Sequence, residues 1–453
     1  MFLFCFFNQF LKRKIHYFLR YYLLSATGPL LLIFFLALGF SWFIKHVYLF
    51  SMIGIYVSFR EGIIYDFWGT MLSSITWILT FGCLIAILLN PLEDYLLHYV
   101  TLFMASCRIT VFNTQFLLEF YINFEMTLFP ILMMILGWGY QPERLSAGIA
   151  LIIYTIIGSI PFLIYLILLS QRSIETFFQV KRCLLGVPLL QVSFYLTITA
   201  FLVKLPIFLF HMWLPKAHVE APVYGSMFLA GTLLKLGGIG LIRFRWFLNQ
   251  VPSQKVVFVS RASLVLVGLI CSFNSDIKVV IAYSSVAHIA LALLMIITIT
   301  DIGAWGGLMI LLTHGFSSSF IFFIAHLAYS RSFSRRVIIN QNRLTWSAGF
   351  SLMWFLRCVG MMGGPPASTI VSEILGILVV LAWWPKLVGV LVLSAFLAGL
   401  YRIMLFARVY HGNSRVPSRS VQPVSHLELS ICSFHAFWLL LYFWIFTWVI
   451  MVK

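Results

Sequence analysis

Two lysines in this sequence stand where a lipid bilayer makes charge costly. The stretch from Lys204 to Arg243 reads KLPIFLFHMWLPKAHVEAPVYGSMFLAGTLLKLGGIGLIR, with Lys204 closing one apolar run and Lys235 inside the next. Lys235 is about thirteen residues into that run, roughly 20 Å deep at 1.5 Å per residue, near the middle of a bilayer. A charge there costs at least about 2.5–3.5 kcal/mol on insertion, so the default reading is functional, the movement of charge. The other ionisable groups singled out near mid-span are Glu119, Glu125, His211, His288, His314 and Glu373. Pro206, two residues after Lys204, removes a backbone donor and favours a locally broken helix. Such breaks persist at membrane depth only inside protein or beside a water-filled cavity. Lys204 and His211, seven apart, are expected to share one helix face two turns along and to join one file of water and titratable groups. A second interruption, Gly363-Gly364-Pro365-Pro366, is followed by Glu373. Two broken helices, each with an ionisable group, match the discontinuous helices of transporters.

Each residue also has a plainer reading. Lys204 and Glu125 form either a switchable pair or a permanent one that only locks two helices together. The small residues from Gly225 to Gly240 fit close helix packing, which leaves Lys235 itself unexplained. His288, after Tyr283-Ser284-Ser285, and His314, before Ser317-Ser318-Ser319, fit proton relay or a helix–helix hydrogen bond. Lys278, beside Asp276 at a helix entrance, either takes part or snorkels to the interface. Glu119 lies off the face of Glu125 and reads as structural or peripheral.

The elements that must position these groups are membrane spans. Of 453 residues, 62% are hydrophobic and 9% charged, far below the charge of a soluble domain. The apolar runs predict an all-α polytopic protein of about fourteen transmembrane helices. They fall near 19–44, 46–60, 67–90, 95–112, 113–138, 147–170, 191–210, 222–243, 256–274, 279–299, 303–329, 345–384, 386–409 and 429–451, with discontinuities near Pro206 and Pro365. The net charge of +17 sits mainly between these runs, where it suits anionic lipid headgroups. Its even spread over both sides leaves orientation open, and no soluble module suggests a nucleic-acid partner. Seven scattered cysteines without a CxxC argue against iron–sulfur, zinc and haem sites and against a disulfide framework. The N-terminus is apolar before it is basic, the reverse of a secretory signal. Neither a strand-linked GxGxxG nor a Walker sequence marks a nucleotide site.

The segment HMWLPKAHVEAP, followed by GSMFLAGTLLKLGGIGLIRF, resembles the chain 4 family of antiporter-like subunits of respiratory complex I, the mitochondrial NADH:ubiquinone oxidoreductase. FYINFEMTLFPILMMILGWGYQPERLSAG, DIKVVIAYSSVAHIAL, HGFSSSFIFF and YSRSFSR resemble the same family, in family order, over about residues 113 to 376. The resemblance implies an antiporter-like fold and proton translocation through buried Lys, Glu, His and water, driven by NADH-to-quinone electron transfer in other subunits. NADH, FMN, iron–sulfur clusters and ubiquinone would be bound by those subunits, and none of them, nor any metal, by this chain. Implied partners are the other membrane-arm subunits, including sibling antiporter-like chains, with lipid and internal water, in the mitochondrial inner membrane. By motif match, Glu125, Lys204, Lys235 and Glu373 carry proton translocation, and His211, His218, Lys278, His288 and His314 relay or support it. Residues 1–112 form divergent N-terminal helices, 113–409 the translocating core, and 410–453 a basic loop and final helix. Thr369 and Ser372 replace the family's Asn and Gly before Glu373, Phe208 and Leu209 replace a Tyr-Gly-like pair, and Ser330 stands where an acid is common. The rival readings are a cation/proton antiporter subunit and a structural membrane subunit without transport.

Overall fold

The computed structural model describes residues 58–60, 63–89, 95–171, 176–177, 190–245, 254–298, 300–341, 348–365, 367–411 and 424–452. A small antiparallel hairpin, β1 (Ser58–Arg60) with β2 (Ile63–Tyr65), precedes a helical body. The expected span 19–44 lies outside the described residues. That at 46–60 is corrected at its end, because Ser58–Arg60 pairs as a strand. From residue 67 onward every expected span has a helical counterpart. In order these are α1 (Phe67–Leu89), α2 (Tyr95–Asn113), α3 (Leu117–Met126) running on into α4 (Leu128–Trp138), α5 (Arg144–Ser170) and α6 (Leu190–Lys204). Then follow α7 (Trp213–Glu220), α8 (Val223–Phe228), a π turn (Leu229–Leu233), α9 (Leu234–Arg243), α10 (Gln254–Phe273), α11 (Ile277–Ile297) and α12 (Asp301–Ser332). The last are α13 (Ala348–Met361), α14 (Ser368–Trp383), α15 (Val388–Tyr410) and α16 (His426–Val452). Among the described residues, 9 helices are long and apolar enough to cross a membrane.

Burial sorts these helices into a centre and a shell. The α8–α9 unit and α12 are 100% buried over their apolar windows, against 33% for α5. The two central elements meet through glycine: a Cβ on Gly315 would stand 2.9 Å from the Gly231 carbonyl oxygen. That approach puts the Lys235 and His314 side chains side by side. On its other flank α9 packs on α6 at Gly237, where a Cβ would meet the Phe201 carbonyl at 2.9 Å.

Both predicted discontinuities are present. Helix α6 stops at Lys204, two residues before Pro206, as expected where a proline disfavours helix in the residue before it. The chain does not resume helical form until Trp213. The shared face expected for Lys204 and His211 therefore does not exist, since His211 sits in the non-helical connection. That connection contains Leu209 at φ 87°, a left-handed conformation that a branched side chain rarely adopts. Trp213 Nε1–H donates to the Val203 carbonyl at 3.1 Å, satisfying an acceptor freed by the break. At the second break α13 ends at Met361 and α14 begins at Ser368, with Gly363 at φ 73°. The Gly364 N–H turns to the Val359 carbonyl at 3.0 Å. The Gly360 carbonyl, which that N–H would bind in a continued α-helix, accepts from the Thr369 hydroxyl instead.

Candidate functional site

The first cluster lies where α3 meets the end of α6. Lys204 Nζ stands 3.6 Å from Glu125 Oε1 and donates to the Phe124 carbonyl at 2.6 Å. It also sits 3.0 Å from the centroid of the Phe124 ring, so its charge faces a carboxylate, a carbonyl and a π cloud together. Lys204 is buried, while the Glu125 side chain keeps 21% exposure.

The second cluster crosses the centre of the molecule. In the π turn the Leu234 N–H reaches back to the Leu229 carbonyl rather than to Ala230. This frees the Ala230 carbonyl, and Lys235 Nζ takes it. Lys235 Nζ also lies 3.1 Å from His314 Nδ1 on α12. A charged Lys235 ammonium has only donors, so His314 Nδ1 would accept from it with its own proton on Nε2. The His314 and His288 rings are 5.6 Å apart, and His288 Nδ1 is 3.6 Å from Glu373 Oε1 on α14. Between them is a cavity lined by His288, His314, Thr313, Ser317, Thr369, Ser372 and Glu373, with space for about one water molecule. His314 Nε2 has no hydrogen-bond partner among the described residues and is the nitrogen left for such a water. Thr369 and Ser372, the two departures before Glu373, both line this cavity. Ser372 Oγ lies 3.3 Å from Thr313 Oγ1 and donates to the Thr369 carbonyl at 2.8 Å.

The two clusters are not joined by any hydrogen bond among the described residues. Phe201 and Leu205, packed on Gly237, lie between α6 and α9. Glu125 and Lys204 thus form one unit, and Lys235, His314, His288 and Glu373 another.

The remaining predicted residues lie apart from both. His211 is buried, stacked on Phe208 at 5.2 Å and 5.7 Å from the Tyr283 ring. His218 stacks on Phe322 at 4.5 Å, with neither ring nitrogen hydrogen-bonded among the described residues. Lys278 does not snorkel: it is buried, and Nζ donates to the Val219 and Ala221 carbonyls at 3.3 Å each. It caps the C-terminal end of α7, where a cation suits the freed carbonyls. Arg335 closes the same corner through Glu220 at 3.2 Å and Gln141 at 2.7 Å. Glu119 is exposed.

Three buried arginines go unmarked in the sequence reading. Arg108 on α2 donates to Thr232 Oγ1 in the π turn. Arg357 on α13 lies 5.5 Å from the Phe320 ring and has no hydrogen-bond partner among the described residues. Arg402 on α15 donates to His288 Nε2 and to the Met361 carbonyl. The mid-span criterion that marks Lys235 applies to Arg357 and Arg402, whereas Arg108 lies near the end of its helix.

Comparison with known proteins agrees with this architecture. Residues 114–398 match the family described as NADH:quinone oxidoreductase/Mrp antiporter, TM. The NADH-ubiquinone oxidoreductase chain 4 of Aedes aegypti is 43% identical over 64% of this chain and 66% of its own length. That of Ceratitis capitata is 37% identical over 74% and 76%. A chain of respiratory complex I from Thermus thermophilus superposes with a TM-score of 0.78 at 23% identity, covering 89% of each chain, which speaks for the fold. With the family matched over most of its length and chain 4 relatives well above 30% identity, this chain belongs to the transmembrane NADH:quinone oxidoreductase/Mrp antiporter family.

Proposed function

We propose that the chain is a proton-translocating membrane-arm subunit of NADH:ubiquinone oxidoreductase in the mitochondrial inner membrane. Electron carriers and quinone are held by other subunits, and sibling antiporter-like chains, lipid and internal water are its neighbours. The observation that carries this reading is the buried arrangement of Lys235, His314, a water-sized cavity and Glu373 at the centre of the helical body. Charged Lys235 passes a proton to His314 Nδ1, and His314 releases its Nε2 proton to a water in the cavity. The water in turn protonates the Glu373 carboxylate. Lys235 ends neutral and Glu373 neutral, so one charge has moved from α9 to α14.

Glu125 and Lys204 supply the gate. At 3.6 Å and an effective dielectric constant of about 20, the pair is worth about 4–5 kcal/mol of Coulomb energy. Moving one charge through 100 mV takes about 2.3 kcal/mol, so opening or closing the pair is on the scale of the work required. Closed, Glu125 favours the charged form of Lys204; open, burial favours the neutral one.

The test is an assembled complex carrying Lys235→Met, assayed for proton translocation alongside NADH-driven quinone reduction. The reading expects fewer protons per electron. An unchanged ratio in this variant and in Lys204→Met would favour a structural role. Sodium-dependent transport in place of proton transport would favour a cation/proton antiporter.

A further inference from the structure

His288 is gripped from both sides. Nδ1 faces the Glu373 carboxylate, and Nε2 receives the Arg402 guanidinium. A guanidinium has five donors and no acceptor. Nε2 must therefore present its lone pair, which places the single proton of the neutral ring on Nδ1, toward Glu373. An imidazole relays a proton by accepting it at one nitrogen and releasing it from the other. With Nδ1 protonated and Nε2 occupied, His288 has no lone pair left to receive one.

Resting on the proton-channel reading above, we propose that Arg402 is a positioning residue that fixes the His288 proton on Nδ1, facing the Glu373 carboxylate 3.6 Å away, and excludes His288 from carrying protons. The proton from His314 then passes to Glu373 only through the water-sized cavity that both line. Arg402 is itself held in place, because its other terminal nitrogen donates to the Met361 carbonyl at the broken end of α13. The guanidinium thus links the helix break to the tautomer of His288. A shift of that helix end would withdraw Arg402 and return a lone pair to the ring. A plain capping role for Arg402 accounts for the Met361 bond but predicts nothing for His288.

The groups that face His288 come from every neighbouring element. They are Glu373 on α14, Arg402 on α15 and His314 on α12, with Arg357 on α13 and Lys235 on α9 acting through space. Removing Arg402 leaves a ring nitrogen open beside a carboxylate. His288 can then take a proton at the freed Nε2 and become charged as the pH falls. A charged His288 would hold Glu373 as a permanent ion pair and stop it from taking a proton.

The experiment uses the assembled complex in proteoliposomes, with protons per electron measured against pH for Arg402→Met, Arg402→Lys and the double variant Arg402→Met/His288→Gln. Arg402→Met is expected to gain a titration absent from the unaltered complex, with translocation lost on its acid side. Arg402→Lys, which restores a donor-only cation, should revert toward the unaltered profile, and the double variant should lose the new titration. A flat, unaltered profile for Arg402→Met, or a new titration that survives in the double variant, would overturn the proposal. If Arg402→Met fails to assemble, a high-resolution cryo-EM map of the unaltered complex decides. Guanidinium density on Nε2 supports the assignment, and a water there with Arg402 turned away overturns it. Loss of the channel reading itself would show differently, as an unchanged ratio in Lys235→Met.

Discussion

Replacing Glu125 with Gln removes one charge and little volume, so it isolates the electrostatic part of the gate. Lys204 Nζ is 3.6 Å from Glu125 Oε1, and the pair contributes about 4–5 kcal/mol at an effective dielectric constant of about 20. The Phe124 carbonyl and ring stay in place and continue to hold the ammonium, while the Gln side-chain oxygen replaces part of the lost attraction. The net loss should then be roughly half the Coulomb figure, about 2 kcal/mol, in the range of a hydrogen bond to a charged group. Lys204 loses its preference for the charged form in the closed state, and the difference between closed and open pairs collapses. The assay is proton translocation in proteoliposomes together with NADH-driven quinone reduction. Translocation per electron should fall while the complex assembles normally. An unchanged ratio would refute the gate, because a charge step that can be deleted without effect is not gating.

Other perturbations separate gate, route and scaffold. Leu209→Gly removes a side chain from a position at φ 87° that costs roughly 1–2 kcal/mol for an L residue. Since Leu209 is exposed, the variant should raise the thermal midpoint of the complex, and a lower midpoint would show that the side chain packs on a neighbour. Ser372→Val places a methyl where a hydroxyl lines the cavity, making it smaller and less polar, so the ratio of protons to electrons should drop with the Glu125–Lys204 pair intact. Normal pumping in that variant would take the route elsewhere.

Much of this arrangement is legible in the sequence because the cost of charge in a bilayer does not depend on the details of packing. Lys204, Lys235 and Glu373 announce themselves by depth alone, and Pro206 and the Gly-Gly-Pro-Pro run mark both helix breaks. What the sequence hides is which groups meet. The break after Lys204 extends to Met212, so a seven-residue spacing that reads as one helix face parts Lys204 from His211. The π turn before Lys235 leaves no compositional trace, yet it releases the carbonyl that anchors the lysine. Lys278 looks like a snorkelling residue until α7 is seen ending against it. Arg402 lies inside an apolar run, but only the fold places it on His288, more than a hundred residues earlier in the chain.

The central claim is that Lys235 and Glu373 communicate through His314 and one water. The most direct measurement is a cryo-EM map of the assembled complex at a resolution that shows ordered water. The account predicts one density within hydrogen-bonding distance of His314 Nε2 and Glu373, framed by Thr369 and Ser372. A dry cavity in a complex that pumps normally would contradict it.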